Sequence, residues 1–222
     1  MPTVQPAWDN HFSAFGAQDV EKILADYTEE SEIRVFNTAT SETAVHKGLG
    51  AVRECFVGLF AQLSDLGDLA APVVEVQEEP RNQVFLVWSC QASGVQRATD
   101  TFTFDGVGKI LNQNIMITIE GAPAPAAPPA PIDEHVAGGT VKAAWDNHFS
   151  AFGAQDVEKI LADYTEESEI RVWDHRTQQM NLYTGLAGVR DCFEGLFNTL
   201  SDLSALGAPV QVVQEAPRSQ VF

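Results

Sequence analysis

Basic side chains are scarce in this chain: 13 Lys and Arg stand against 31 Asp and Glu, a formal net charge of −18. A surface that negative repels nucleic acid and anionic lipid, so neither is expected as a partner. Cysteine is scarcer still, with Cys55, Cys90 and Cys192 alone. That odd, scattered set has no metal-ligand spacing and reads as reduced thiols of an intracellular, soluble protein, cytoplasmic or imported into an organelle. Long apolar runs are missing as well. No stretch reaches the ~20 apolar residues of a membrane span. The opening Met-Pro-Thr-Val-Gln-Pro has neither the basic nor the apolar part of a secretory signal. No Gly-rich phosphate loop, zinc spacing, EF-hand loop or G-x-S-x-G elbow occurs, so neither a cofactor nor a metal is expected.

What the chain does have is a repeat. The stretch AWDNHFSAFGAQDVEKILADYTEESEIRV occupies residues 7–35 and again 144–172. A shift of 137 positions aligns 7–85 with 144–222 without a gap, and 55 of those 79 pairs are identical. So long a period means duplicated domains, since solenoid units run to a few tens of residues. Between the copies, the Pro/Ala-rich stretch around 121–139 (GAPAPAAPPAPIDEHVAGG) favours extended polyproline II and cannot build a core. The expected organisation is a complete domain over 1–120, a linker over 121–141 and a second domain over 142–222. Copy two reaches Phe222, the partner of Phe85. It is therefore read as lacking its last strands, either as a fragment of a longer tandem protein or as a half-domain completed by a strand from elsewhere.

Periodicity outlines copy one. Trp8, Phe12 and Phe15 recur at helical spacing, and Gly16 can end that helix. Asp19 is a good N-cap for a second helix carrying Val20, Ile23, Leu24 and Tyr27. The run SEIRVF (31–36) alternates as a strand does, and Leu49, Val52, Phe56, Leu59, Phe60 and Leu63 stripe a longer helix. Four strand-like runs follow: APVVEVQ, QVFLVWSC, ATDTFTF and KILNQNIMITI, parted by turn signals. Helices first and a meander after give an α+β domain, helices packed on one face of an antiparallel sheet.

Two polar residues fall on apolar faces. Asp100 shares strand parity with Phe102 and Phe104, so it projects to the face they occupy. A carboxyl there either stays neutral through a raised pKa and serves a site, or caps a turn at the rim. His11 lies on the apolar face of the first helix, between Trp8 and Phe15. It reads either as an acid–base group or as a satisfied core histidine, and His148 repeats it. Gln113 shares parity with Ile115 and Ile117 and is either a polar contact in a pocket or a solvent-facing strand residue. The EESE run at 29–32 reads as a solvated approach to a strand, with cation binding the weaker alternative. Cys55 and Cys90 read as inert packing.

The opening HFSAFGAQDVEKILADYTEES and the closing DTFTFDGVGKILNQNI together resemble the nuclear transport factor 2-like superfamily, in its SnoaL-like and ketosteroid-isomerase-like branch. The resemblance covers all of copy one and the 142–222 part of copy two. It implies a cone-shaped curved sheet around three helices with an apolar pocket at its mouth. It places Asp100 where ketosteroid isomerase keeps a protonated aspartate as an oxyanion hydrogen-bond donor, and His11 where that enzyme has its oxyanion-hole tyrosine. Trp8, Phe15, Tyr27, Trp88, Phe102 and Gln113 are then the expected ligand contacts. The isomerases' general-base aspartate would fall near Val35, and valine cannot abstract a proton. Asn37 close by is no base either. Two readings follow. One is a small-molecule domain for an apolar ligand, with isomerase- or cyclase-type acid–base activity at Asp100 and His11. The other is a non-catalytic assembly module whose pocket is filled core. The resemblance also implies self-association through outer sheet faces. VFLVWSC (84–90), apolar at successive positions, fits a strand buried on both sides.

Overall fold

The helical and alternating patterns of the sequence become, in a computed structural model describing residues 3–120, 132–134 and 139–222, two compact units. The units are Met1–Ala130 and Pro131–Phe222. Most of the stretch expected as a linker lies outside the described residues.

In the first unit, helix α1 (Val4–Gly16) buries Val4, Trp8, His11 and Ala14. Phe12, expected at the centre of that stripe, is 39% exposed. It stands on the flank of Trp8 opposite to His11, so the helix turns its His11 side to the core. The chain reverses at Gln18 (φ 52°), two residues beyond Gly16. Gln18 is tied down there by its side-chain amide, which donates to the Leu63 carbonyl at 2.7 Å. Asp19 then caps α2 (Val20–Leu24), accepting from the Lys22 amide at 3.1 Å.

Strands β1 (Glu32–Asn37) and β2 (Glu42–Lys47) form a hairpin that leads into α3 (Gly48–Gln62). Sequence periodicity does not reveal β2, because most of ETAVHK is exposed and carries no apolar alternation. At the β2–α3 junction Gly48 has φ +79°, and a Cβ there would meet Glu29 Oε2 at 2.8 Å. That carboxylate accepts from the Leu49 amide, so the tight corner requires glycine.

The meander consists of β3 (Ala70–Gln77), β4 (Gln83–Cys90), β5 (Val95–Phe104) and β6 (Ile110–Ile119). The sheet order is β2-β1-β6-β5-β4-β3. Every pairing is antiparallel save one: β1 runs parallel to β6, from Glu32↔Asn112 to Asn37↔Ile117. β1 thus lies inside the sheet, which explains why it is buried at successive residues rather than alternately. The helices cover the concave face, where Ile23, Ile33, Phe56, Leu63, Phe102 and Ile110 are fully or almost fully buried in one cluster. The fold is α+β, a curved sheet wrapped around three helices.

The second unit repeats the opening: α4 (Thr140–Gly153), α5 (Val157–Leu161) capped by Asp156, the hairpin of β8 (Glu169–Asp174) and β9 (Gln179–Thr184), and α6 (Gly185–Thr199). β10 (Val210–Gln214) pairs with β11 (Gln220–Val221) and, in parallel, with β7 (Ile132–Glu134). Ala151, Ile160, Val189 and Phe193 form its small core. Among the described residues, no helix is long and apolar enough to cross a membrane.

Candidate ligand cavity and acid–base site

A cavity of about 270 Å³ opens in the first unit between α1, α3 and the inner face of the sheet. Strand register sets its floor. Phe102 lies opposite Gln113 and Asp100 opposite Ile115, while on the other side of β6 Ile33, Val35 and Asn37 pair with Gln113, Ile115 and Ile117. Directly paired residues share a face, so this row of alternate positions projects inward. Trp8, His11 and Phe15 from α1 and Trp88, Asp100, Phe102 and Gln113 from the sheet all line the cavity.

Asp100 is 4% exposed. Its two oxygens are each taken by a donor: Trp88 Nε1 donates to Oδ1 at 3.1 Å and Gln113 Nε2 to Oδ2 at 3.0 Å. Burial penalises the charged carboxylate more than these two bonds favour it, and the group is raised from 3.8 to about 7. Gln113 is itself fixed, since Tyr27 Oη donates to its Oε1 at 2.5 Å. Tyr27, expected as a ligand contact, is therefore placed behind Gln113 and is not among the lining residues. Burial and the nearby Cys55 and Asp100 raise its phenol well above the ordinary value, which keeps it a neutral donor.

His11 sits within 6 Å of four ring centroids, those of Trp8, Tyr27, Phe56 and Phe102. Its Nδ1 faces Asp26 Oδ2 at 3.5 Å, both side chains being buried. Asn10 donates to the other Asp26 oxygen at 2.8 Å, which orients the carboxylate. A carboxylate behind Nδ1 leaves Nε2 as the nitrogen free for exchange with a ligand. Sequence reasoning passes over Asp26, because it lies just past a five-residue helix where no periodicity speaks for an inward direction.

Val35 and Asn37 do line the cavity, so no carboxylate stands where the resemblance would put a general base. The wall instead carries His46 from β2, which the periodicity does not reveal, and Glu54 from the exposed flank of the α3 stripe. Cys55 lines the wall too, with a thiol pushed up to about 11 by burial and by Asp100. Burial also raises Cys90, as expected of packing cysteines. In the acidic run, Glu29 caps the α3 corner and Glu32 pairs with Arg34. Among the described residues no group of three or more His, Cys, Asp or Glu could hold a metal ion. The second unit keeps the dyad, His148 Nδ1 to Asp163 Oδ2 at 3.6 Å, in a more open setting.

No family model matches the chain, and no curated protein does. Solved structures are similar in fold. A steroid delta-isomerase from Pseudomonas aeruginosa is 15% identical over 51% of this chain and 77% of its own, with TM-score 0.40. A SnoaL-like protein of unknown function from Burkholderia thailandensis is 17% identical over 53% and 98%, with TM-score 0.41. A nuclear transport factor 2-like protein of unknown function from Burkholderia xenovorans is 14% identical over 55% and 88%, with TM-score 0.39. Each covers about half of this chain.

Proposed function

We propose that the first unit binds a largely apolar small molecule in this cavity and performs acid–base chemistry on it. One arrangement carries the reading: a carboxyl only 4% exposed, held by Trp88 and Gln113 and pushed up to about 7 by burial, forms part of an otherwise mostly apolar wall. With its value raised so far by burial, the Asp100 carboxyl can keep its proton near neutral pH. In that form the group donates a hydrogen bond to a carbonyl or enolate oxygen, where a carboxylate would repel it. His11, backed by Asp26, takes a proton from the ligand and returns it at another position. Such a shuttle consumes nothing and suits a cofactor-free isomerase or cyclase. The assembly-module reading requires filled space where the cavity lies, which counts against it. Either reading allows self-association through the outer sheet face.

The test is a titration with 2-naphthol, read by fluorescence because Trp8 and Trp88 line the cavity. Saturable quenching is expected, weakened about tenfold by Asp100→Asn through loss of the carboxyl's hydrogen bond to the naphthol hydroxyl. Asp100→Asn should leave the circular dichroism spectrum unchanged. No saturable binding by the natural sequence would overturn the proposal.

A further inference from the structure

We infer that His46 is a second polar anchor at the mouth of the cavity, selecting a flat, two-headed apolar molecule whose far end carries a hydroxyl or similar proton donor. The inference rests on the small-molecule reading above and deepens it.

Register places His46 relative to Asp100. His46 pairs with Ile33, which pairs with Gln113, which pairs with Phe102. All three of those partners are buried on the inner face. His46 shares their parity, and it lines the cavity. Asp100 lies three strands away, ~14 Å across the sheet, and two residues along, ~7 Å. Curvature turns both side chains toward the same space. The cavity therefore has the bonded Asp100 and Gln113 deep in its floor and His46 on the edge strand, with the apolar Val35 and Ile115 beside Asp100 on the way to the mouth.

The chemistry of the mouth is that of an acceptor. His46 is half-buried, and Glu54 faces the same opening from α3. Burial holds the imidazole below its ordinary value, while Glu54 and the Ala51 backbone pull the other way. The neutral ring so favoured presents a lone pair to a hydroxyl.

The repeat supplies an independent observation. Fifteen of the lining residues fall within 7–85, where copy two offers a counterpart. Ten are identical, including Trp8, His11 and Cys55. The five that differ are Asn37, Ala44, His46, Glu54 and Gln62, replaced by Asp174, Asn181, Tyr183, Asp191 and Thr199. All but Asn37 come from β2 and α3, and every one of them is exposed or half-buried. Among the lining residues, change between the copies thus falls on the accessible rim, His46 included, within a strand, β2, that differs at all six positions, and the buried interior that has a counterpart is unchanged.

Two probes test it: 2-naphthol, with one hydroxyl, and 2,6-dihydroxynaphthalene, with a hydroxyl at each end. The natural sequence should bind the second about tenfold more tightly, the worth of one added hydrogen bond in a partly dry site. His46→Leu should abolish that preference and leave 2-naphthol affinity within about twofold, one rotatable hydrogen bond having been removed and no apolar wall. His46→Gln, which keeps an acceptor, should retain part of it and serves if the leucine variant fails to fold. Equal binding of both probes by the natural sequence, or a preference that survives in His46→Leu, overturns the inference while leaving the small-molecule reading standing. Failure of both probes to bind overturns the two together.

Discussion

Trp88 reaches Asp100 diagonally across two antiparallel strands. Trp88 is paired with Ala98 and Asp100 with Leu86, yet the indole Nε1 lies 3.1 Å from Asp100 Oδ1. The diagonal is long enough for an indole and too long for most other donors. It joins the wall of the cavity to its one titrating floor residue.

Trp88→Phe keeps the apolar body of the side chain and removes the donor. Asp100 loses one of two bonds that favour its charged form. Its midpoint should climb above about 7, by roughly one unit, if the bond is worth about 1–2 kcal/mol. Carbon-13 NMR of the Asp100 carboxyl across pH 4–9 reads this, and an unchanged midpoint would mean the indole does not set it.

Asp100 also makes stability depend on pH in a direction opposite to most carboxylates. Its folded value lies above its unfolded one, so the folded state holds a proton that the unfolded state releases between about pH 4 and 7. The unfolding free energy therefore falls as pH rises through that window, by a few kcal/mol at most. Asp100→Asn should remove this component. Urea titrations at pH 4.5 and 7.5 should show the variant gaining relative to the natural sequence at the higher pH, and a constant difference would refute the linkage.

The Cys55 thiol, held near 11, is a poor nucleophile at neutral pH. Iodoacetamide at pH 7.5 should alkylate it more slowly than a free thiol of ordinary value by a factor on the order of a hundred, the thiolate fraction falling tenfold per unit. Peptide mass spectrometry with time gives the rate. Fast labelling would show an open and polarised site.

Gly48 and Gly50 sit two residues apart at the start of α3 and should respond in opposite ways. Gly48→Ala forces a side chain into φ +79° and against Glu29, costing about 1–2 kcal/mol. Nothing lies within 4 Å of a Cβ at Gly50, so Gly50→Ala in the helix should stabilise by about 0.5–1 kcal/mol. Thermal melts of the two variants decide it.

Asp100 and Gln113 are legible in the sequence because strand parity with Phe102 and Ile115 fixes which way they face once the strands are recognised. The order of helices and meander is legible for the same reason: long, strongly periodic segments leave little choice. Asp26, His46 and Glu54 are not. Each stands where local pattern is mute: a coil after one turn of helix, an edge strand with polar residues on both faces, and the exposed flank of a helical stripe. The parallel union of β1 with β6 is equally hidden, since no local rule tells a strand that its second partner lies at the far end of the domain. Tyr27 shows the complementary error, an aromatic on an apolar face that serves the wall from behind.

That union has a consequence for how the protein is made. β1 meets β2 almost at once, but its other edge waits for Asn112–Ile117, the last strand of the unit to leave the ribosome. Until then a nascent chain carries three apolar helices and an unfinished floor, with neither Gln113 nor its hold on Asp100 in place. Contacts so distant in sequence form late and slowly. During translation the cavity is thus the last part of the first unit to be closed, and until β6 arrives its apolar lining has no floor to shelter it.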